Sequence, residues 1–292
     1  MSSNTRKIAV FADVHGNVPA LDAVLADLER QRPDEVLVGG DLVGRGPQGS
    51  AVVGRVKAAG WRGVRGNHED YLLAFRREEV PVAWLQQDEW AASRWMAAEL
   101  DDEDVAYIDA LPLEIASALA PRVRLVHGSP ASNNEGIGPW TSDRSLERHL
   151  DAVDGDLLVC AHTHRPMDRR VANGRVVNVG AVGLPFNHDR RAQYAILHVA
   201  DGACDVELRR IEYPLEDTLR IYRESGFDAE GGLTARLLRM ELEHAAPFLV
   251  PFTKWAEVQR RPIVEGELAE FLEFYDPTEP LRKFIERLAA LD

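Results

Sequence analysis

Five short polar motifs follow apolar runs in this chain: Asp13-Val14-His15-Gly16-Asn17, Gly39-Gly40-Asp41, Gly66-Asn67-His68-Glu69, His127-Gly128 and His162-Thr163-His164. Together they offer carboxylates, imidazoles and a carboxamide, a mixed oxygen and nitrogen donor set suited to divalent transition ions rather than to Ca2+ alone. On an extended segment the two rings of His162 and His164 point to opposite sides. They would then reach two ions, or one would be a ligand only where the strand turns. Each motif has an ordinary explanation: Asp-x-His is often a helix cap or surface pair, and His-x-His can be a solvated strand edge. A turn that requires glycine accounts for Gly66 and Asn67, yet gives no reason for His68 and Glu69 to follow. The order and spacing of all five, each at the end of a strand-like run, favour a metal centre.

The elements that must position these residues are legible in the first third of the chain. Apolar runs at Ile8 to Ala12, Val36 to Val38 and Trp61 to Val64 alternate with amphipathic segments at Pro19 to Arg30 and Ser50 to Ala59. The runs are short and β-branched, whereas Leu21, Val24, Leu25 and Leu28 recur at helical spacing, so the rhythm is βαβαβ with parallel strands. In such a sheet the loops beyond the carboxyl ends of the strands share one crevice, and their polar residues converge there. Residues 88 to 110 read as two helices broken near Asp101-Asp102-Glu103-Asp104. Strand signals return at Leu113 to Ala118, Val123 to Val126, Leu157 to Ala161, Val171 to Val179, Tyr194 to Val199 and Val206 to Ile211, with a hairpin turn at Asn173-Gly174. After Tyr213-Pro214 the pattern is helical, at Glu216 to Glu224, Leu233 to Ala245, Glu267 to Tyr275 and Pro280 to Leu291.

The 292 residues, 45% hydrophobic and 28% charged, suffice for one large domain with an appendage. No apolar run approaches the roughly 20 residues of a membrane-spanning helix, and the N-terminus lacks an extended apolar core with a cleavage site. The expectation is a cytoplasmic protein that crosses no membrane. Cys160 and Cys204 read as unpaired thiols. A formal charge of -14 opposes an extended nucleic-acid surface, while a small phosphorylated substrate stays compatible, because bound cations set the local field.

The succession D-x-H, G-D, G-N-H-E, H-G and A-H-T-H resembles the calcineurin-like binuclear metallophosphoesterase superfamily. The Asp41-Leu42-Val43-Gly44-Arg45-Gly46-Pro47 run, His127-Gly128-Ser129-Pro130 and Asn178-Val179-Gly180-Ala181-Val182-Gly183 are similar to its bacterial branch of diadenosine tetraphosphatases and small phosphodiesterases. The resemblance covers roughly residues 7 to 212. It implies an α/β fold, a four-layer αββα sandwich of two mixed sheets, for residues 1–212; residues 213–292, outside the resemblance, read from their own pattern as a helical C-terminal extension packed on it. It also implies Asp13, His15 and His164 on a first divalent ion, Asn67, His127 and His162 on a second, and Asp41 bridging the two. A carboxylate between two dications offsets their repulsion, which agrees with that assignment. Mn2+ is favoured, with Fe, Zn2+ or Ni2+ accepted by the same donors. The implied reaction is hydrolysis of a phosphomonoester or phosphodiester, with a nucleotide-type substrate favoured. Hydroxide bridging the ions would attack, His68 would be the general acid, and Arg45, beside Asn67, would grip the phosphate.

Two departures from the family pattern stand out. Gly44 replaces the aspartate that orients the catalytic histidine in protein phosphatases, leaving Glu69 or a backbone carbonyl to orient His68. The stretch Leu184 to Asp189 lacks the usual arginine, for which Arg190 or Arg191 is the candidate replacement. Among the remaining histidines only His188 borders the expected crevice. Of Trp84, Trp90, Trp95 and Trp140, the last is the candidate for a base-stacking wall, with Trp90 and Trp95 packing the two helices. Rival readings are a serine/threonine-type protein phosphatase and a catalytically silent metal-binding scaffold. The apolar tail, interrupted by Pro247, Pro251 and Pro262, reads as wrapped over the domain, with a partial lid on the crevice as one outcome.

Overall fold

Side-chain alternation along the first strand decides the architecture. In β1 (Arg6–Phe11) Ile8 and Val10 enter one apolar core while Ala9 and Phe11 enter another, so the sheet that contains it must be covered on both faces. The computed structural model describes residues 5–200 and 203–290.

The first half runs β1, α1 (Val18–Gln31), β2 (Glu35–Val38), α2 (Gly49–Ala59), β3 (Arg62–Gly63), α3 (Asn67–Arg76), α4 (Ala91–Glu99) and α5 (Asp102–Asp109). It continues with β4 (Glu114–Ala116), β5 (Val123–Val126), α6 (Asp143–Asp151), β6 (Leu157–Cys160), β7 (Met167–Val171), β8 (Gly174–Asn178), β9 (Ala192–Ala200) and β10 (Ala203–Ile211). Helices α7 (Leu215–Glu224), α8 (Phe227–Glu230), α9 (Gly232–His244), α10 (Leu249–Val258), α11 (Leu268–Phe274) and α12 (Leu281–Ala289) follow.

The strands form two mixed five-stranded sheets, ordered β10-β9-β1-β2-β3 and β4-β5-β6-β8-β7. β1, β2 and β3 are parallel, with Ile8 opposite Glu35 and Phe11 opposite Val38. β5, β6 and β8 are parallel in the second sheet. The sheets pack on each other through Ile8, Val10, Leu37, Leu125, Val159 and Val177. The outer face of the first sheet is covered by α1 to α4, and that of the second by Leu146 and Leu150 of α6. This is the four-layer sandwich that the family resemblance implies.

The tail divides in a way its sequence does not show. Leu219, Tyr222, Phe227, Ala235 and Leu238, from α7 to α9, join the core over the first sheet. Phe248, Phe252, Trp255, Phe271 and Phe284 build a separate core among α10 to α12. Pro251 does not interrupt α10, because it occupies the first turn, where no intrahelical partner needs its missing N–H. Helix α6 escaped the sequence reading because its buried stripe is only Leu146 and Leu150. The expected strand Trp61 to Val64 shortens to β3, with Trp61 turned edge-on to Phe11 at 5.6 Å. The expected run Val171 to Val179 folds as the hairpin arms β7 and β8 around Asn173-Gly174.

Candidate metal centre

The polar motifs meet because their loops leave the carboxyl ends of neighbouring strands and hydrogen-bond to one another. Asp13 N–H donates to Gly40 O and His15 N–H to Asp41 O, each at 3.0 Å, locking the loop after β1 to the loop after β2. Six polar residues around this junction adopt left-handed backbone: Asp13, His15, Asp41, Arg45, His162 and His164, with φ of 53°, 51°, 51°, 61°, 66° and 56°. Such conformations cost about 1–3 kcal/mol each in a residue other than glycine and gather at functional sites. His162 and His164 are therefore not alternating residues of a strand. The backbone turns at both, around a buried Thr163 whose hydroxyl accepts from Asn178 Nδ2 at 3.0 Å.

Three imidazoles have their hydrogen position set by a carbonyl. His15 Nδ1 lies 3.2 Å from both Val43 O and Gly44 O, His127 Nδ1 2.7 Å from Gly39 O, and His164 Nδ1 2.5 Å from Leu184 O. A carbonyl only accepts, so Nδ1 carries the hydrogen and Nε2 offers a lone pair. His15 Nε2 and His164 Nε2 then face each other at 3.1 Å, an arrangement that is repulsive until a cation lies beside both. Metal-ligating histidines show this tautomer, with the far nitrogen donating to a carbonyl or carboxylate.

The carboxylates complete two groups. Asp13 Oδ2 accepts from His162 N–H at 3.1 Å and Asp41 Oδ1 from His68 N–H at 2.9 Å. The other oxygens, Asp13 Oδ1 and Asp41 Oδ2, are buried without a hydrogen bond. Asp13 Oδ1 is 3.4 Å from His164 Nε2, while Asp41 Oδ2 stands 3.6 Å from His15 Nε2 and 3.3 Å from His127 Nε2. Asp13, His15, Asp41 and His164 thus form one potential ligand group, and Asp41, His127 and His162 a second, with Asp41 common to both. Asn67 Oδ1 joins the second, 3.0 Å from His127 Nε2 and 2.8 Å from His162 Nδ1.

Electrostatics agree with a cationic guest. Burial pushes the Asp13 carboxyl up to about 7. Burial pushes the His127 imidazole down, but Asp41 beside it more than reverses this and takes it up to about 10, so Nε2 seeks a positive partner, proton or metal. His162 and His164 are pushed down by burial to about 4 and about 3, leaving neutral, lone-pair-bearing rings. Orphaned carboxylate oxygens converging with free imidazole nitrogens fit divalent metal ions.

Beside this cluster, Arg45 Nε donates to His68 Nε2 at 3.0 Å and Arg45 Nη1 pairs with Glu241 of α9 at 2.8 Å. Of the side chains, it is thus Arg45 that hydrogen-bonds to the His68 ring in this structure. Glu69 is spent on the backbone: its carboxylate accepts from Asp41 N–H at 2.9 Å, Leu42 N–H at 2.7 Å and Gly66 N–H at 2.7 Å, clamping the second loop to the third. Gly44 is required by His68 itself, because a Cβ there would stand 2.5 Å from His68 Nδ1 and its φ is +77°.

The remaining candidates divide. His188 is exposed, and its N–H donates to Ala245 O of the tail at 3.0 Å. Arg191 pairs with Asp189, and Arg190 is exposed. Arg165, which the sequence reading passed over, follows the ligand candidate His164 and lies 5.5 Å from the Trp140 ring and 6.0 Å from Phe186, with no carboxylate partner among the described residues. Its adjacency to the His-x-His motif was the available signal. Trp140 is 61% exposed. Trp95 packs on Phe227, and Trp90 stacks on Trp84.

Residues 6–166 match the family described as calcineurin-like phosphoesterase. A metallophosphoesterase structure from Sphaerobacter thermophilus is similar at 28% identity and a TM-score of 0.68, over 83% of this chain and all of that one. An uncharacterized protein of Methanocaldococcus jannaschii is 25% identical over 72% of this chain and 88% of its own length. Serine/threonine-protein phosphatase 1 of Salmonella typhimurium is 26% identical over 62% of this chain and 89% of its own length.

Proposed function

We propose that this chain, which belongs to the calcineurin-like phosphoesterase family, is a hydrolase that cleaves a phosphomonoester or phosphodiester of a small organic alcohol, with nucleotide-type substrates favoured. The observation that carries the reading is Asp41, whose unbonded Oδ2 lies among the Nε2 atoms of His15 and His127, one from each ligand group. Asp13, His15 and His164 would hold one divalent ion, Asn67, His127 and His162 the other, and Asp41 both. When bound, such ions supply activation of water near neutral pH and charge neutralisation at the phosphoryl group. Mn2+ is the favoured ion on the chemistry of the donors.

The chain's own residues handle the phosphoryl group and the leaving group. Arg45 presents its guanidinium beside the ligand groups, fixed by Glu241 and lying 5.9 Å from the Phe186 ring, and a planar fork suits phosphoryl oxygens. His68 Nε2 faces Arg45. In this reading the incoming phosphoryl oxygens draw Arg45 to themselves, and their negative charge favours a proton on His68 Nε2, which passes to the leaving oxygen.

The similarity to a protein phosphatase favours a polypeptide substrate less than the tail opposes it. Glu241 reaches Arg45, and Leu249 shares a cavity with His68, so the tail stands where a polypeptide would need an open groove. Among the described residues no helix is long and apolar enough to cross a membrane. A cytoplasmic location is part of the proposal, supported by the free thiols of Cys160 and Cys204.

The test is metal content and turnover in Asp41→Asn. We expect fewer than two ions per chain and loss of hydrolysis of p-nitrophenyl phosphate and bis(p-nitrophenyl) phosphate, because the shared negative charge is gone. Two ions retained at wild-type affinity would refute the shared role of Asp41, and a wild type inert to both esters with each of Mn2+, Fe2+, Zn2+ and Ni2+ would refute the hydrolase reading.

A further inference from the structure

A cavity of about 370 Å³ opens beside His68 and Arg45, between α3, the segment before α4, and the tail. Its volume lies within the roughly 300–1,000 Å³ of small-molecule sites. Phe75, Trp84, Trp90, Met96, Leu238 and Leu249 line it, with Arg45, His68 and Tyr71 at its polar end. The aromatic wall is ordered: Trp84 and Trp90 stack at 3.9 Å and 15°, and Phe75 lies 26° from the plane of Trp84 at 6.3 Å.

Three polar groups of this lining already have partners, among them the Tyr71 hydroxyl, which donates to Asn134 Oδ1 at 3.2 Å. Thr234 donates to Glu89 O at 2.8 Å, and Trp90 Nε1 to Glu89 Oε1 at 2.9 Å. Aromatic and aliphatic side chains make most of the wall, so a guest here is recognised chiefly by its flat face and apolar area. Because the cavity begins at the residue assigned to protonate the leaving oxygen, the part of the substrate that enters it is the departing alcohol.

We propose that this cavity is the leaving-group subsite, and that the substrate is a phosphoester whose alcohol carries a flat aromatic ring, held by stacking and indifferent to the polar pattern of the ring. An aryl group and a nucleobase share that chemistry. The subsite places the ring against Trp84 rather than on exposed Trp140, and it deepens the phosphoesterase reading, on which it rests.

The experiment compares kcat/KM of the Mn2+-loaded enzyme for 1-naphthyl phosphate, adenosine and cytidine 5′-monophosphates, and glycerol 1-phosphate. Binding of non-hydrolysable 1-naphthyl phosphonate is followed by calorimetry. We expect ring-bearing esters to exceed glycerol phosphate by about 10- to 100-fold, the scale of burying one ring, and the two nucleotides to differ little from each other. Naphthyl phosphate ahead of the nucleotides identifies an aryl alcohol, and the reverse order a nucleoside. Trp84→Ala, which removes the wall, and Ala74→Phe, which fills the cavity from α3, should each shrink the ring preference and weaken phosphonate binding about tenfold or more. Unchanged preference and binding in both variants, with wild-type metal content and melting, would overturn the subsite. Phosphonate binding that depends on Trp84, with no ester hydrolysed by the wild type, would keep the subsite and overturn the hydrolase reading instead.

Discussion

Arg45 Nη1 stands 2.8 Å from Glu241 Oε2, tying the loop after β2 to the tail helix α9 through a pair in which the glutamate is fully buried. The other oxygen of Glu241 accepts from Phe248 N–H at 2.8 Å and Leu249 N–H at 2.9 Å, so the same carboxylate also fixes the start of α10. Glu241→Ala is expected to lower stability by about 3–5 kcal/mol, the scale for breaking one partner out of a buried pair. Glu241→Gln preserves the shape and removes the charge. It should lower kcat more than it raises KM, because Arg45 loses its anchor beside His68. Steady-state kinetics with a thermal melt check this, and a Gln variant with wild-type kcat would leave Glu241 a purely structural residue.

Gly44 stands where an orienting aspartate is expected, yet restoring the carboxylate should harm the enzyme. A Cβ at this position meets His68 Nδ1 at 2.5 Å, and the +77° φ adds strain for any L side chain. Gly44→Asp and Gly44→Ala should both lower kcat/KM, by about tenfold or more on the scale of misplacing a catalytic group. Equal or higher activity in the aspartate variant would show that the loop relaxes and that His68 accepts a new partner.

If His68 protonates the leaving oxygen, its removal matters most for poor leaving groups. His68→Gln should keep both metal sites, since its ring belongs to neither ligand group, and lower turnover of an alkyl phosphate by about 100- to 10,000-fold. For p-nitrophenyl phosphate, whose leaving group needs little protonation, the loss should be far smaller. A plot of log kcat against leaving-group pKa decides: equal slopes in wild type and variant would remove His68 from the proton transfer.

Asp27 provides a pH signature away from the metal centre. Burial opposes its charge, but Arg209 Nε at 2.7 Å, the Tyr194 hydroxyl at 2.6 Å and Arg30 hold its carboxyl below the usual range. A depressed folded-state value means that its contribution to stability is present above the unfolded value of about 3.9 and is lost as pH falls through the folded one. Asp27→Asn should therefore be less stable than wild type at pH 7, with the difference shrinking below about pH 4. Denaturant melts at pH 7, 5 and 3 measure it, and a constant difference would mean that only the hydrogen bonds matter.

The sequence by itself determined the strand ends and the donors. Apolar alternation in Ile8 to Ala12 and the polar motifs that follow each run are local, and local spacing is what a strand and its loop impose on a chain. That is why Asp13, His15, Asp41, Asn67, His127, His162 and His164 were readable as candidates together. It did not determine that His162 and His164 sit in left-handed backbone, because neither residue type announces that conformation and only the surrounding loops over-determine it. Nor could it pair Arg45 with Glu241, 196 residues apart, or place Trp84 beside His68 with Leu238 and Leu249 across from it. Those relationships follow from how α7 to α9, with Leu249 at the start of α10, pack over the first sheet, and a helix's apolar stripe specifies that it must be covered without specifying by what. The tertiary structure alone decided that the tail's Glu241, Leu238 and Leu249 would stand beside Arg45 and His68.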